Sequence, residues 1–413
     1  VVNTVKSYIS GSEVTTDDFI ILEADEKAIV WSLTIAGSFG GAGGAGGGLV
    51  VSGAASGSVN SIINTVETYI TNEGSMKSVI TSNNGGVSLD ASDLSLIVAN
   101  AGAVSGGGAG GAGGGVVGTI GASYAVNTIV NNVRSFIQGS TVDASQKISL
   151  EAHESAIISS VTIAASGGGA FGAGGGLVGS GAASGSVNTV INRVEAYITN
   201  DENVQSSVTS DNKGLTLDAL DTTVIVANAG AVSAGFAGGA GGGGVATFGA
   251  SYAVNTVVND VRSHISGSIV NAADSVTLEA EENAIIWALT MAGSGGGAGG
   301  TAGGVVGTGA SSGSVNTVAN TVESYITNDG SVQSSITTTG GSVSLKASDV
   351  TVISANAGAV SIAGAGGAGG GAVVTFGFST AANTIVNDVR SFIQGSSVST
   401  PGSITLDAFE NAV

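Results

Sequence analysis

The chain repeats a long segment of its own sequence, and this internal repeat limits the folds that it can adopt. Three segments that read GSVNSIINTVETYI, GSVNTVINRVEAYI and GSVNTVANTVESYI end at Ile70, Ile198 and Ile326, so the sequence period is 128 in both steps. Related segments such as YAVNTIVNNVRSFI end at Ile137, Ile265 and Ile393, which divides the repeat into half-repeats with lengths of 67 and 61. A fixed period of this kind indicates an array of stacked units.

A second motif, of the form xxLxA, keeps the same spacing. Its leucine is found at Leu22, Leu89, Leu150, Leu217, Leu278, Leu345 and Leu406. The difference in length between the two half-repeats falls between Ile70 and Val87, among residues that are typical of turns. We expect residues 1–413 to form one continuous array, and to be a piece of a longer chain, because neither end carries the atypical capping repeat of a free solenoid.

The segment 188–198 (NTVINRVEAYI) has to be either a strand or a helix. Its aliphatic residues would share one side of a helix, but its residues also alternate between two faces, with Asn188, Val190 and Asn192 on one of them. The Val, Ile, Thr and Tyr content favours a strand, and asparagine is a poor helix former. We therefore predict an all-β fold: a repetitive β-solenoid (β-helix) in which half-repeats with lengths of 61 and 67 stack as rungs and the Gly-rich segments are buried.

Equivalent residues of neighbouring rungs would stack about 4.8 Å apart. Two inward-facing positions carry asparagine in each rung, and each amide could donate to the carbonyl oxygen of the next, which satisfies a polar group that is costly to bury alone. The first predicted ladder contains Asn60, Asn127, Asn188, Asn255, Asn316 and Asn383. The second contains Asn64, Asn131, Asn192, Asn259, Asn320 and Asn387.

Two outward-facing positions of the same segment also predict ladders. Basic and acidic residues alternate at Lys6, Glu67, Arg134, Glu195, Arg262, Glu323 and Arg390. Direct neighbours in a sheet favour opposite charges, so we expect a ladder of exposed ion pairs that each contribute about 0.2–1 kcal/mol. Two residues further on lie Tyr8, Tyr69, Phe136, Tyr197, His264, Tyr325 and Phe392, which predict an aromatic stack. His264 is then a stacking residue and not a ligand or a base.

The position after the marker leucine is acidic in nearly every rung: Glu23, Asp90, Glu151, Asp218, Glu279, Lys346 and Asp407. Stacked like charges repel each other, and either solvent or a divalent cation would relieve the repulsion. We favour solvation and keep calcium as a testable alternative, with the acidic members of this row as its candidate ligands; no other cofactor is expected. His153 lies alone among acidic residues, and we predict a solvated loop residue there.

A long stretch without any charged residue recurs in each half-repeat, as between Lys27 and Glu67, and each stretch contains a Gly-rich run such as GGGAGGAGGG (106–115). The length would suit a membrane segment, but Gly, Ser and Asn dilute the hydrophobicity and no Lys or Arg pattern flanks the stretch. We predict burial within protein, because glycine lets two backbones approach closely. A polyglycine-II-like helix is a minor alternative.

Composition excludes several classes of function. The chain has 30 acidic and 10 basic residues, a formal net charge of -20 and no cysteine. Nucleic acid is therefore not an expected partner, and thiol chemistry and disulfides are excluded. Two histidines in dissimilar surroundings do not support a repeated catalytic site, and we interpret acidic pairs such as Glu281 and Glu282 as loop residues. We do not expect an enzyme.

The strand motif GSVNTVINRVEAYI, the xxLxA motif and the Gly-rich run between them resemble the repeat regions of large bacterial β-solenoid exoproteins, the filamentous haemagglutinin-like and leukotoxin-like surface adhesins. The resemblance spans the whole chain and implies secretion, an extracellular or cell-surface location and a rod-like shape. We expect a structural protein that forms an extracellular fibre or rod and whose partner is itself, by polymerisation or lateral association. The alternative is the stalk of a secreted adhesin whose binding tip lies outside this chain and contacts host or neighbouring cell surfaces.

Overall fold

A computed structural model of the chain describes residues 1–201, 204–330 and 332–413, and this part of the chain contains β-strands and no helix. It accordingly has no helix that is long and apolar enough to span a membrane. In chain order the strands are β1 (Val2–Ser10), β2 (Glu13–Thr16), β3 (Ile20–Gly43), β4 (Gly48–Thr71), β5 (Val79–Ser82), β6 (Val87–Gly110), β7 (Gly115–Gln138), β8 (Thr141–Ala144), β9 (Ile148–Phe171), β10 (Gly176–Thr199), β11 (Ser207–Ser210), β12 (Leu215–Gly238), β13 (Gly243–Ser266), β14 (Ile269–Ala272), β15 (Val276–Gly299), β16 (Gly304–Val318), β17 (Thr321–Thr327), β18 (Ser335–Thr338), β19 (Val343–Gly366), β20 (Gly371–Ile385), β21 (Asp388–Gln394), β22 (Ser397–Ser399) and β23 (Ile404–Ala412).

These strands form three parallel sheets. The first long sheet contains β1, β4, β7, β10, β13, β16 with β17, and β20 with β21. The short sheet contains β2, β5, β8, β11, β14, β18 and β22, and the second long sheet contains β3, β6, β9, β12, β15, β19 and β23. Each rung runs along the first long sheet, through the short sheet and back along the second long sheet to a Gly-rich turn. The predicted all-β solenoid is thereby confirmed.

Each half-repeat is one rung. Asn188 in β10 pairs with Asn127 in β7 on one side and with Asn255 in β13 on the other, so the sequence spacings of 61 and 67 are also the spacings of paired neighbours in the sheet. The longer rungs take up their extra residues before and after the short strand, in 72–78 compared with 139–140 and in 83–86 compared with 145–147. Both places lie between Ile70 and Val87, where the sequence locates the difference.

The hydrophobic core is largest where the three sheets meet. Ile70, Ile80 and Leu89, one from each sheet, are fully buried in the same cluster. Farther from the short sheet, the two long sheets pack directly against each other, and the buried apolar residues become smaller. The cluster beside the Gly-rich turn contains only Val and Ala, such as Ala170 and Val178, and the next cluster consists of Ala164, Ala182 and Ala231. In cross-section the solenoid (the blade) is therefore wedge-shaped. It is thick beside the short sheet, where the bulky core residues lie, and thin toward the Gly-rich turn.

The Gly-rich runs form the ends of long strands and the turn between them, so the polyglycine-II-like alternative is wrong. Two requirements select glycine here. Gly114 has a φ of +90°, and a Cβ there would lie 2.2 Å from the carbonyl oxygen of Gly175 in the next rung. Inside the blade, a Cβ at Gly168 would lie 2.8 Å from Cγ1 of Val178. The run thus permits a left-handed turn that stacks on itself and a close approach of the two long sheets.

Charge is confined to one side of the blade. The uncharged half of the solenoid comprises residues 28–66, 94–133, 155–192, 222–259, 283–322 and 350–387, which contain no Asp, Glu, Lys or Arg. Away from the two ends of the array, nearly all inward-facing residues of these segments are buried as predicted, but outward-facing residues such as Trp287 and Leu177 are exposed. Burial of the uncharged stretches is therefore confined to the inner faces of the interior rungs.

Candidate functional site

The first asparagine position forms a continuous ladder through the blade. Each Nδ2 donates to the Oδ1 of the next rung: the distances are 2.8 Å from Asn60 to Asn127, 2.8 Å from Asn127 to Asn188, and 2.8 Å from Asn188 to Asn255. The two remaining links, from Asn255 to Asn316 and from Asn316 to Asn383, are 2.7 and 2.8 Å long. Because side chains alternate along a strand, these amides lie between the long sheets. The equivalent amides of the rungs above and below are in register with them and can therefore bond to them.

The second asparagine position does not form such a ladder. The Nδ2 of Asn131 donates to Oδ2 of Asp93 at 2.6 Å and to Oε1 of Glu154 at 2.7 Å, across the gap between the long sheets. Its Oδ1 accepts the backbone N–H of Asn64 at 3.2 Å. Buried carboxylates are stronger acceptors than a neighbouring amide, so they take the side-chain donors. The prediction of amide-to-amide bonds along this row is wrong.

These carboxylates form a buried row of their own in the second long sheet. In register they are Glu26, Asp93, Glu154, Asp221, Glu282, Asp349 and Glu410, so Glu and Asp alternate from rung to rung. Asp93, Glu154, Asp221, Glu282 and Asp349 are all buried. The interpretation of Glu282 as a loop residue is wrong: both it and Glu281 lie in β15, and Glu282 faces the interior.

Carboxylates stacked at this spacing cannot all be ionised. Burial, followed by repulsion from Asp93 and Asp221, raises the pKa of Glu154 well above its usual range. Burial and then repulsion from Asp221 raise the pKa of Glu282 in the same way, and burial raises the pKa of Asp221 to about 7. The row therefore holds protons at neutral pH.

The sequence contains a signal for this row that pattern analysis missed. Each member lies four residues after the marker leucine, as Glu26 follows Leu22 and Asp93 follows Leu89. Four residues along a strand return to the same face, and the marker leucine faces the core. The position is therefore inward, whereas the acidic residue directly after the leucine faces out.

The alternating charges are direct neighbours, but they are not all exposed. Glu67 lies between Lys6 and Arg134 in register; Lys6 Nζ is 2.8 Å from Glu67 Oε2, and Arg134 binds the other oxygen. Glu67 is only 3% exposed, because neighbouring rungs cover it. Burial alone would raise the pKa of Glu67, but the bonds from Lys6 and Arg134 outweigh burial and hold the pKa below its ordinary value. The interpretation as exposed pairs is wrong for the acidic members.

The other acidic members differ in their partners. Glu195, only 2% exposed, binds Arg193 two residues before it in β10, at 2.7 Å. Glu323 accepts from Arg262 at 3.2 Å and lies 3.7 Å from Arg390. The ladder thus combines bonds between rungs with bonds within one strand.

The aromatic position forms an unbroken stack. Tyr8, Tyr69, Phe136, Tyr197, His264, Tyr325 and Phe392 lie with successive ring centroids 4.7–5.0 Å apart and interplanar angles of 1–11°. Burial raises the pKa of Tyr197 to about 12 and lowers the pKa of His264 to about 3. His264 is therefore a neutral ring within the stack at neutral pH.

The outward acidic row also keeps its register, from Glu23 beside Asp90 to Lys346 beside Asp407. Lys346 interrupts the repulsion by binding Glu279 at 2.6 Å and Glu281, and these bonds raise its pKa. Among the described residues, Asp90, Glu151 and His153 place ligand atoms within 4.8 Å of one another. Calcium binding along this row stays a prediction.

His153 lies in strand β9 and not in a loop, so that interpretation is wrong. Its Nε2 is 3.6 Å from Oδ2 of Asp218 in the next rung. The nearby carboxylate of Asp218 raises the pKa of His153, although burial opposes the shift. The side chain is therefore a partial counter-charge within the acidic row.

Fold and ladders together define a parallel β-solenoid whose repeated side chains serve to bind one rung to the next. Comparison of the chain with models of protein families, with curated proteins and with solved structures finds no match.

Proposed function

We propose that this chain is a structural protein that forms an extracellular rod or fibre. One observation carries the proposal: the three sheets continue in register from β1 to β23, and the amide, charge and aromatic ladders recur in the same places along them. The first asparagine row and the aromatic stack direct their groups to the adjacent rung, and the charge ladder does so in part. Such side chains stabilise length and register, which is the requirement of a rod.

The location is part of the proposal and rests on the resemblance to bacterial exoproteins and on composition. The absence of cysteine is compatible with an oxidising exterior, and the net charge of -20 keeps separate rods soluble. The expected partner is another copy of the chain. In the alternative, the same rod is the stalk of a secreted adhesin, and a tip outside residues 1–413 binds a host or neighbouring cell.

Electron microscopy of the natively isolated protein, combined with fibre diffraction, tests the proposal. We expect continuous fibres with a reflection at about 4.8 Å along the fibre axis, because the strands run across the rod. Separate rods of uniform length that each taper to a distinct tip would contradict the fibre and support the adhesin stalk. Compact particles without the axial reflection would contradict both.

A further inference from the structure

One outer surface of the blade is apolar over a wide area. The apolar face is defined as the outward-facing residues of 29–43, 96–110, 157–171, 224–238, 285–299 and 352–366, all in the uncharged half of the second long sheet. Trp31 is 75% exposed there, Trp287 58% and Met291 57%. Both tryptophans of the chain lie on this face. Exposed apolar areas of this size mark interaction sites.

On their inner side the same segments bury mostly small and polar residues, with one isoleucine in most rungs, such as Ile158 in β9. In β9 the outward positions include Ile157, Val161 and Ile163, whereas the inward positions include Ser160 and Thr162. The largest apolar side chains of this half therefore point away from the core. Their transfer from water is completed only when another surface covers the face.

Two large rings of the apolar face lie over glycines of the neighbouring rung. Phe39 lies over Gly106 of the next rung, where a Cβ would come within 2.7 Å of the ring, and Phe236 lies over Gly297, where a Cβ would come within 3.1 Å. Glycine thus lets the large rings lie along the sheet and not project from it. Two sheets can pack face to face through side chains of this kind.

The area suffices for a stable interface. Strands β3, β6, β9, β12, β15 and β19 each contribute about 50 Å of length at a spacing of about 4.8 Å, which gives about 1,400 Å² per copy. A standard protein interface buries about 800 Å² per partner. No charged residue lies on this face, so its burial carries no penalty for desolvating an ion.

A row of amides on the face favours protein over lipid as the occupant. Asn100, Asn228 and Asn356 alternate in register with the aliphatic side chains of Val161 and Leu289. In hydrocarbon these amides would lack hydrogen-bond partners. Opposite the same row of a second copy, related by a two-fold axis along the strands, they can pair with each other.

We propose that the apolar face binds the apolar face of a second copy of this chain, so that rods pair laterally through their second long sheets. The inference deepens the proposed function, since it names the surface by which one rod recognises another. It does not depend on fibre length, because short rods can pair in the same way.

The test uses the full chain over a range of concentrations, with sedimentation velocity to count rods and tryptophan emission to report burial of Trp31 and Trp287. We expect paired rods, with emission that shifts to shorter wavelength as pairing proceeds. Met291→Lys should weaken pairing at least 100-fold. Leu177→Lys, at a residue 59% exposed on the opposite outer face, should leave pairing unchanged. Circular dichroism would establish that both variants keep the wild-type fold.

Three results would overturn the inference. In the first, wild-type rods stay single with the emission of solvent-exposed indole at every concentration. In the second, Leu177→Lys weakens pairing as much as Met291→Lys or more, which would show that pairing is not specific to the apolar face. In the third, single rods float with phosphatidylcholine vesicles and their emission shifts only then. Long fibres of unpaired rods would reject this inference and leave the proposed function intact, whereas paired rods without fibres would do the reverse.

Discussion

At the scale of the residue, one amide supports its neighbours in both directions. Asn188 accepts from Asn127 and donates to Asn255, and all three are buried. Asn188→Ala would leave a buried donor and a buried acceptor without partners, each of which costs about 1–3 kcal/mol. We expect the free energy of unfolding to fall by about 2–5 kcal/mol, measured by urea unfolding followed by circular dichroism. Thr189→Ala, on the outward side of the same strand, is the control and should change it by less than about 0.5 kcal/mol. Equal losses in both variants would contradict a ladder.

The buried carboxyl row makes a prediction about pH. The folded pKa of Asp221 is about 7, and that of Glu282 lies well above its usual range. The unfolded chain loses these protons near pH 4 and the folded chain does not, so stability from this row is complete below about pH 4 and is lost as pH rises through the folded pKa. The urea concentration at the midpoint of wild-type unfolding should therefore decrease as the pH is raised from about 5 to about 9.

Glu282→Gln isolates this effect, because glutamine is neutral at every pH and keeps the shape of the side chain. We expect the variant to match the wild type near pH 5 and to exceed its free energy of unfolding at pH 9 by an amount on the order of 1–4 kcal/mol. Glu23→Gln, in the outward row, should leave the pH profile unchanged. A variant that is less stable than the wild type at pH 9 would show that Glu282 is ionised and paired in the folded chain.

At the scale of the element, glycine decides how closely the long sheets approach. A Cβ at Gly168 would lie 2.8 Å from Cγ1 of Val178, whereas a Cβ at Gly179 on the outer face meets nothing within 4 Å. Gly168→Ala should therefore lower the free energy of unfolding by about 1–3 kcal/mol through overpacking. Gly179→Ala should leave it equal or slightly higher, since alanine loses less entropy than glycine on folding. Thermal melting of the two variants gives the comparison, and equal melting temperatures would exclude close packing at Gly168.

The elements themselves could be predicted from sequence to the extent that each rung repeats its neighbour. The strand at 188–198, the register of Asn188 and the stacking of Tyr197 follow from alternation and period alone. Contacts across the gap between the long sheets join two different strands, so they are not visible in the residue pattern of either strand. The bond from Asn131 to Glu154 could therefore not be predicted from the asparagine pattern. The carboxyl row was predictable in principle from its spacing to the marker leucine.

Burial on the outer face was harder to predict for a similar reason. Glu67 alternates to the solvent side of its strand, and sequence alone suggests exposure. Stacking of Lys6 and Arg134 on either side covers it, which is a property of three rungs together and not of one. His153 looked isolated because its contact, Asp218, lies in the next rung.

At the scale of the whole molecule, the blade separates charge from apolar surface. Its charged residues lie beside the short sheet, and its uncharged half carries apolar outer faces. In the proposed assembly, the acidic side would keep rods apart in water and the apolar face would pair them laterally. The ladders would then set the length of a fibre and the apolar face its thickness.

The most direct test of the one-rung half-repeat is a distance measurement along the rod. The outward positions Ser61, Thr128, Thr189, Thr256, Thr317 and Thr384 are successive register partners. The chain has no cysteine of its own, so Ser61→Cys can be combined with Thr317→Cys or with Thr384→Cys and spin-labelled without background. Pulsed electron paramagnetic resonance should give about 19 Å for the first pair and about 24 Å for the second, one strand spacing of about 4.8 Å more. Equal distances, or an increment of about 10 Å or more, would contradict a solenoid in which each half-repeat is one rung.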